Sequence, residues 1–535
     1  MFEDARRYRL NLRAEFARRA EMQRHAASGA GPLLDRRMML AGLIGTAATA
    51  ATVSYAEGPA KAADLPAVTL DGQEVALSDA KVARLARRLK GQVIRPGDEG
   101  YESARKVWNA AFDRRPALIV RCANVEDVQT AVKFAREHQL LTAVRCGGHS
   151  ASGQSTVDRG LVIDLSPMRR VDVDPKARTV RADGGCLLGD LDAAAQAQGL
   201  ATTFGVVSHT GVGGLTLGGG MGRLQRQHGL TVDNLREVKL VTADGRLLTA
   251  NATENPDLFW ALRGGGGNFG IGVSFEFNLH PYDYPVATRS IAYAAPDIRG
   301  VLDRYFDYAP TAPEPLFLAA VLVRNAQGAP LLSLSANWLG APDQADPAFK
   351  VLESFATPLG SRPGSVKYLE IQKAADGGGN AHGNFHYAKA GMLGAFEDRT
   401  QRGQLFDGVL GFFEQNPLPG GRALLLLMGG AVNRVPVDGT AYPHRTAIHN
   451  IDVGGDSTTR EGLEKYVDWG RRYWKVVDPF TGGGFYVNSA SADDDERRIA
   501  GNYGPNHARL VAAKTKYDPT NQFRLNANIR PASRA

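Results

Sequence analysis

Residues 264–270 read Gly264-Gly265-Gly266-Gly267-Asn268-Phe269-Gly270. From Gly265 onward the spacing fits GxGxxG, the glycine fingerprint of a dinucleotide-binding Rossmann unit. That fingerprint works where a strand ends and a helix begins, so that the helix N-terminus meets the pyrophosphate. Here the order is reversed. Asp257 to Arg263 predicts a short helix before the glycines, and Ile271 to Leu279 alternates as a strand after them. A Rossmann site is thereby excluded, and the glycines need another explanation.

Two more clusters lie upstream: Gly147-Gly148, and the run from Gly211 to Gly222. Glycine permits close backbone approach, and successive exposed N–H groups form concave anion sites. Three such loops in one domain predict a long ligand with a phosphate-rich middle. Other chemistries fit less well. Gly148-His149-Ser150-Ala151-Ser152 lacks the closing glycine of a nucleophile elbow. His382 and His386 are four apart, but the Gly and Asn between them argue against a helical metal face, and no metal is expected.

Around the glycines the chain alternates between short strands and helices. Leu118 to Arg121 predicts a strand, and Asn124 caps a helix with Val125, Val128, Val132 and Ala135 on one face. Leu141 to Arg145 predicts a second strand, running into Cys146-Gly147-Gly148-His149-Ser150. Leu161 to Leu165, Val171 to Asp174 and Thr179 to Ala182 follow as strands, then an Ala-rich helix from Leu188 to Gln198. Asp244-Gly245 predicts a hairpin turn between Glu237 to Thr242 and Leu247 to Ala250. Beyond residue 286 strand-like runs (Leu316 to Val323, Leu331 to Trp338, Ala423 to Met428, Ala447 to Val453) alternate with helical stretches, a second α+β domain with a largely antiparallel sheet. The tail carries one further helix, Glu496 to Lys514.

The 535 residues suffice for two domains, and 43% hydrophobic with 22% charged residues is an ordinary globular balance. The formal net charge is +7, but Met1 to Arg37 holds nine Arg against five acidic residues, which leaves about +3 on the remainder. No basic run with interleaved aromatics remains to suggest nucleic acid. Cys122, Cys146 and Cys186 are odd in number and widely spaced, which argues for buried thiols rather than a disulfide framework or a zinc site. Arg36-Arg37 precede a weakly apolar stretch, Leu40 to Val53, too short to span a bilayer comfortably. The pattern resembles a twin-arginine export signal with cleavage near Ala56. The mature form is expected outside the cytoplasm, periplasmic or extracellular, with no stable membrane span.

From about residue 85 to 531 the motifs, taken in order, resemble the berberine bridge enzyme-like branch of the vanillyl-alcohol oxidase and p-cresol methylhydroxylase superfamily. Arg145-Cys146-Gly147-Gly148-His149-Ser150 resembles the family's R-x-G-G-H loop, which wraps the FAD pyrophosphate and bonds its His to the flavin. Gly211-Val212-Gly213-Gly214 with Gly218 and Gly219 resembles the second flavin loop, followed by Gly229-Leu230 and Asp233-Asn234. Gly267, Asn268 and Gly270 fall in a third, and Tyr486-Val487-Asn488 resembles the closing Y-x-N motif. The resemblance implies an α+β protein: a two-part FAD-binding domain of the p-cresol methylhydroxylase type plus an α+β substrate domain with an antiparallel sheet. The expected organisation is leader 1–56, lead-in 57–95, FAD-binding domain 96–285, substrate domain 286–480, and a C-terminal segment 481–535 returning to the FAD domain.

What this resemblance implies chemically is FAD bound covalently through His149. Val207 stands where many members have a Cys, so no second link is expected. Tyr486 is the first candidate base and Asp452 the second, the latter at a position where some relatives carry an acidic base. His449 is expected in the site wall, Lys389 as structural or pocket-lining, and Thr210 where the family tunes oxygen access. Ser489 replaces the last Tyr of Y-x-N-Y. The expected partners are a small-molecule substrate (an alcohol, a sugar or a secondary metabolite) and oxygen or another electron acceptor. The alternatives are a flavin oxidase that forms a natural-product ring and a catalytically idle flavin-binding protein.

Overall fold

In the computed structural model, residues 64–533 are described; the arginine pair and the apolar stretch behind it lie outside them. A hairpin, Leu65–Val68 with Glu74–Leu77, leads through the helix Asp79–Ala86 to the strand Gln92–Ile94. That strand pairs antiparallel with Leu118–Arg121, and Ile94 is buried against Ile119 and Val162. The lead-in therefore contributes a strand to the first sheet.

The first sheet runs in the order Gln92–Ile94, Leu118–Arg121, Leu161–Asp164, Thr142–Arg145, its last three strands parallel. The crossover helix Val125–Glu137 starts where Asn124 Oδ1 accepts the Asp127 N–H at 2.9 Å. Asp127 in turn accepts the N–H groups of Lys90, Gly91 and Ala123, tying the lead-in to the helix start. The second sheet is antiparallel throughout, in the order Leu247–Asn251, Leu235–Val241, Ile271–Asn278, Thr179–Asp183, Val171–Asp174. The third glycine cluster sits as expected, between the helix Pro256–Leu262 and the strand Ile271–Asn278.

The region expected to be the substrate domain holds one antiparallel sheet of seven strands, in the order Gly360–Val366, Val286–Ala294, Pro330–Trp338, Leu316–Arg324, Arg422–Leu427, His449–Ser457, Phe385–Leu393. The helices Ala295–Tyr308, Arg399–Gln415 and Arg460–Val477 cover one face, burying Leu405, Phe406, Trp469 and Tyr473 against Ile451 and Val453. The other face turns toward the FAD domain. Side chains alternate between the faces of a strand, so Asn450, Asp452 and Asp456 point away from the helices that Ile451 and Val453 meet.

The tail differs from the single helix expected over 496–514. It forms two, Glu496–Tyr503 and His507–Tyr517, broken at Gly504-Pro505-Asn506. Pro505 has no N–H to continue the ladder, and Gly504 stands at φ 45°. The second helix and the residues after it dock on the FAD domain: Gln522 Nε2 reaches Leu140 O and Thr142 Oγ1, and Asn268 holds Ala527 and Ile529.

Candidate active site

The strand Thr142–Arg145 ends in the first glycine loop, at the carboxyl end of a parallel sheet. Such ends are where α/β sheets bind ligands. This loop meets the second so closely that a Cβ on Gly147 would stand 2.5 Å from the Gly211 nitrogen. Within the second cluster the chain winds into the short helix Val212–Leu217, which the glycine content hides.

A cleft of about 430 Å³ opens between these loops and the substrate domain. Of the residues expected to hold the cofactor, Gly147, Gly148, His149, Ser150, Gly211, Gly213, Gly214, Gly267, Gly270 and Asn488 line it. The remainder act behind the wall. The Arg145 guanidinium turns back to the Ala104 carbonyl. Val212 is buried in the core of the second sheet. Gly218 makes room for the Asn488 side chain, and Gly219 packs beside Tyr442 and Tyr486. Asn268 is saturated, donating to Gly265 O and Ala527 O and accepting from Ile529 N, so it shapes the third loop instead of facing the cleft.

The lining suits a dinucleotide. Where Gly214 or Gly267 would carry a Cβ there is no heavy atom within 4 Å, so bare backbone opens on the cleft. His149 Nε2 is buried without a hydrogen-bond partner. Burial, then the neighbouring His209 and His382, push the His149 pKa down to about 3, so its imidazole is neutral. Cys146 also lines the cleft; burial raises its thiol to about 11 and leaves it unreactive. Val207 lines the cleft where a second tether would need a thiol.

The substrate domain contributes Leu424, Leu426, Asn450 and Asp452. The register Leu424↔Asp452 and Leu426↔Asn450 sets two apolar side chains beside two polar ones. Among the described residues no Lys or Arg lines the cleft. Burial raises the Asp452 pKa to about 6, against the pull of Arg422 and with help from Asp456. Tyr486 also lines the cleft; its Oη accepts N–H groups from Gly220 at 3.0 Å, Met221 at 3.1 Å and Asn488 at 2.7 Å. Burial nevertheless raises its pKa.

One expectation changes. His449 is not in the wall: it belongs to the helix-facing side of its strand, stacked on Phe306 at 4.2 Å. One residue of strand register separates it from Asn450, which does face the cleft. Lys389 likewise points to the helix side, paired with Asp493 and Asp494 at 2.7 Å each, and is structural. His386 lies on the strand Phe385–Leu393, away from any helical face shared with His382. Asn450, Leu424 and Val487 were missed. Alternation from Asp452 would have found Asn450, but Leu424 and Val487 carry no signal beyond being apolar.

A family model described as "FAD binding domain" matches residues 116–251, and one described as "Berberine and berberine like" matches 486–530. An FAD-linked oxidoreductase of Dictyostelium discoideum is 32% identical over 453 residues, 84% of this chain and 97% of that protein. The (R)-6-hydroxynicotine oxidase of Paenarthrobacter nicotinovorans is 30% identical over 458 residues, 83% of this chain and 97% of its own length. Among solved structures, 6-hydroxy-D-nicotine oxidase from Arthrobacter nicotinovorans superposes with a TM-score of 0.75 at 28% identity, covering 83% of this chain and 98% of that one. Chitooligosaccharide oxidase, at 23% identity and a TM-score of 0.77, shares the fold over 84% of this chain and 100% of its own. The chain belongs to the FAD-linked oxidoreductases of the berberine and berberine-like family. It binds FAD on a domain of the p-cresol methylhydroxylase type.

Proposed function

We propose that this protein is an exported oxidase or dehydrogenase that takes a hydride from a C–H of a small alcohol, sugar or secondary metabolite, with its FAD bonded to His149. One observation carries the reading. The cleft that presents His149 also presents Asp452, from the other domain, with no hydrogen bond or ion pair to any described residue. When bound, the flavin supplies the hydride acceptor.

The chain's residues supply the rest. The glycine loops, bare of neighbours at Gly214 and Gly267, would hold the dinucleotide, and His149 would tether its ring. Leu424, Leu426 and Val487 pack the apolar part of the substrate and exclude water. Asp452, ionised above about pH 6, takes the proton from the substrate's hydroxyl or amine as the C–H bond breaks. The Tyr486 oxygen already accepts three N–H groups, so its own hydrogen is left to orient the substrate oxygen. Oxygen, or another acceptor, then reoxidises the enzyme, with Thr210 lining its approach. Arg36-Arg37 and the apolar stretch after them support export, and no helix among the described residues is long and apolar enough to cross a membrane.

Ser489, which lines the cleft in place of an expected Tyr, favours the second reading, an idle flavin-binding protein. Anaerobic titration with alcohols, amines and sugars separates the two. Bleaching of the oxidised flavin band by a member of the panel supports the enzyme; a flat response to every compound leaves the binding protein. Acid precipitation of wild type and His149→Ala tests the tether. Yellow colour is expected in the wild-type pellet and absent from the variant's.

A further inference from the structure

His149 does not stand alone. The Trp108 indole lies on its ring with centroids 4.1 Å apart and planes 16° apart. His386 stacks on Trp108 at 3.7 Å and 15°. The two imidazoles make no ring contact with each other, so the indole is held between them. His386 Nδ1 is fixed at 2.6 Å from Asp456 Oδ1, and Asp456 is itself paired with Arg422. Trp108 is anchored at three points: its N–H donates to Gly148 O at 3.0 Å, its Nε1 to Asn380 O at 2.7 Å, and its carbonyl accepts from Gly383 at 3.2 Å. Asn109 ties the same segment to both sides, donating to Ala151 O and His386 O. Residues 108 and 109 thus bridge the His149 loop and the substrate-domain sheet.

We propose that Trp108, backed by His386, is the positioning residue for attachment of the flavin to His149. This rests on the reading that His149 carries the flavin. Attachment joins an imidazole nitrogen to the 8-methyl carbon of the flavin. One C–H and one N–H bond break, and both protons with the electron pair end on the flavin ring. The flavin is the oxidant, so no outside reagent is needed and the product is the reduced, linked cofactor. The nitrogen lone pair lies in the ring plane, so attack requires that plane to be held toward the methyl group. A stacked indole fixes the plane without occupying either nitrogen. Burial of the ring, in which the stacked indole shares, holds the imidazole neutral.

The test uses the full-length protein as wild type, Trp108→Phe, Trp108→Leu and His386→Gln. Bound flavin is measured before and after acid precipitation, and the rate at which loosely bound FAD becomes acid-stable is followed on incubation. Thermal melting reports the fold. Wild type and Trp108→Phe are expected to attach at comparable rates. Trp108→Leu is expected to bind FAD at the wild-type ratio but attach it at least tenfold more slowly, and His386→Gln at least threefold more slowly. Wild-type rates in both Trp108→Leu and His386→Gln overturn the proposal. If Trp108→Leu does not fold, His386→Gln decides. Acid-labile flavin in the wild type overturns the tether at His149, and this inference with it.

Discussion

Asp452 carries two consequences of opposite sign. Its folded-state pKa, about 6, is above the ordinary 3.8 because desolvation in the cleft wall outweighs the pull of Arg422. Folding therefore favours the protonated form, and the stability this group contributes is present at low pH and lost as pH rises through 6. Asp452→Asn is expected to be more stable than wild type by about 1 to 3 kcal/mol at pH 8, with the difference gone near pH 4. Paired urea titrations at the two pH values check this. The same variant is expected to lose about 10² to 10⁴ in kcat/KM, and the fall of the wild-type profile below about pH 6 should vanish from what remains. Tyr486→Phe leaves the buried N–H groups of Gly220 and Met221 without an acceptor, at a cost of about 1 to 3 kcal/mol readable from the urea midpoint.

At the level of elements, the buried pair Arg445–Asp233 fastens the substrate domain to the segment after the second glycine loop. Two bonds of 2.8 Å join them, and Asp233 also accepts the Leu230 N–H. Breaking a buried pair from one side is costly, so Asp233→Asn is expected to destabilise by about 3 to 5 kcal/mol. A thermal melt measures this, and the double variant Asp233→Asn, Arg445→Met should recover part of the loss. Asp233 stands in a stretch that the sequence marks, yet nothing in the sequence says that it meets a residue 212 positions away. The same limit explains what was and was not legible elsewhere. Periodicity and caps located Leu118–Arg121, Val125–Glu137 and the Asp244-Gly245 hairpin within a residue or two, because those signals are local. Val286–Ala294 and Phe385–Leu393 escaped, since polar and small residues such as Thr288, Ser290 and Gly391 blur their alternation. His449 was misplaced for the same reason: on a strand the facing depends on register, which only the paired neighbours set.

Over the whole molecule, the glycine loops were legible because close ligand approach restricts which residues can stand there. The substrate wall was not, since leucine and valine serve equally well in any core. A bonded cofactor also changes how the molecule unfolds. Wild-type melting temperature is expected to be insensitive to dilution, whereas His149→Ala, holding FAD only by mass action, should melt lower after gel filtration and recover on adding free FAD. Differential scanning fluorimetry at several FAD concentrations separates the two patterns.

The cradle draws on chain positions far apart in sequence. Leu525, Asn526 and Ala527 line the same cleft as Thr142 and His149, and Gln522 closes on Leu140 and Thr142. The strands pair without these residues, but the cofactor seat is whole only once the tail has docked.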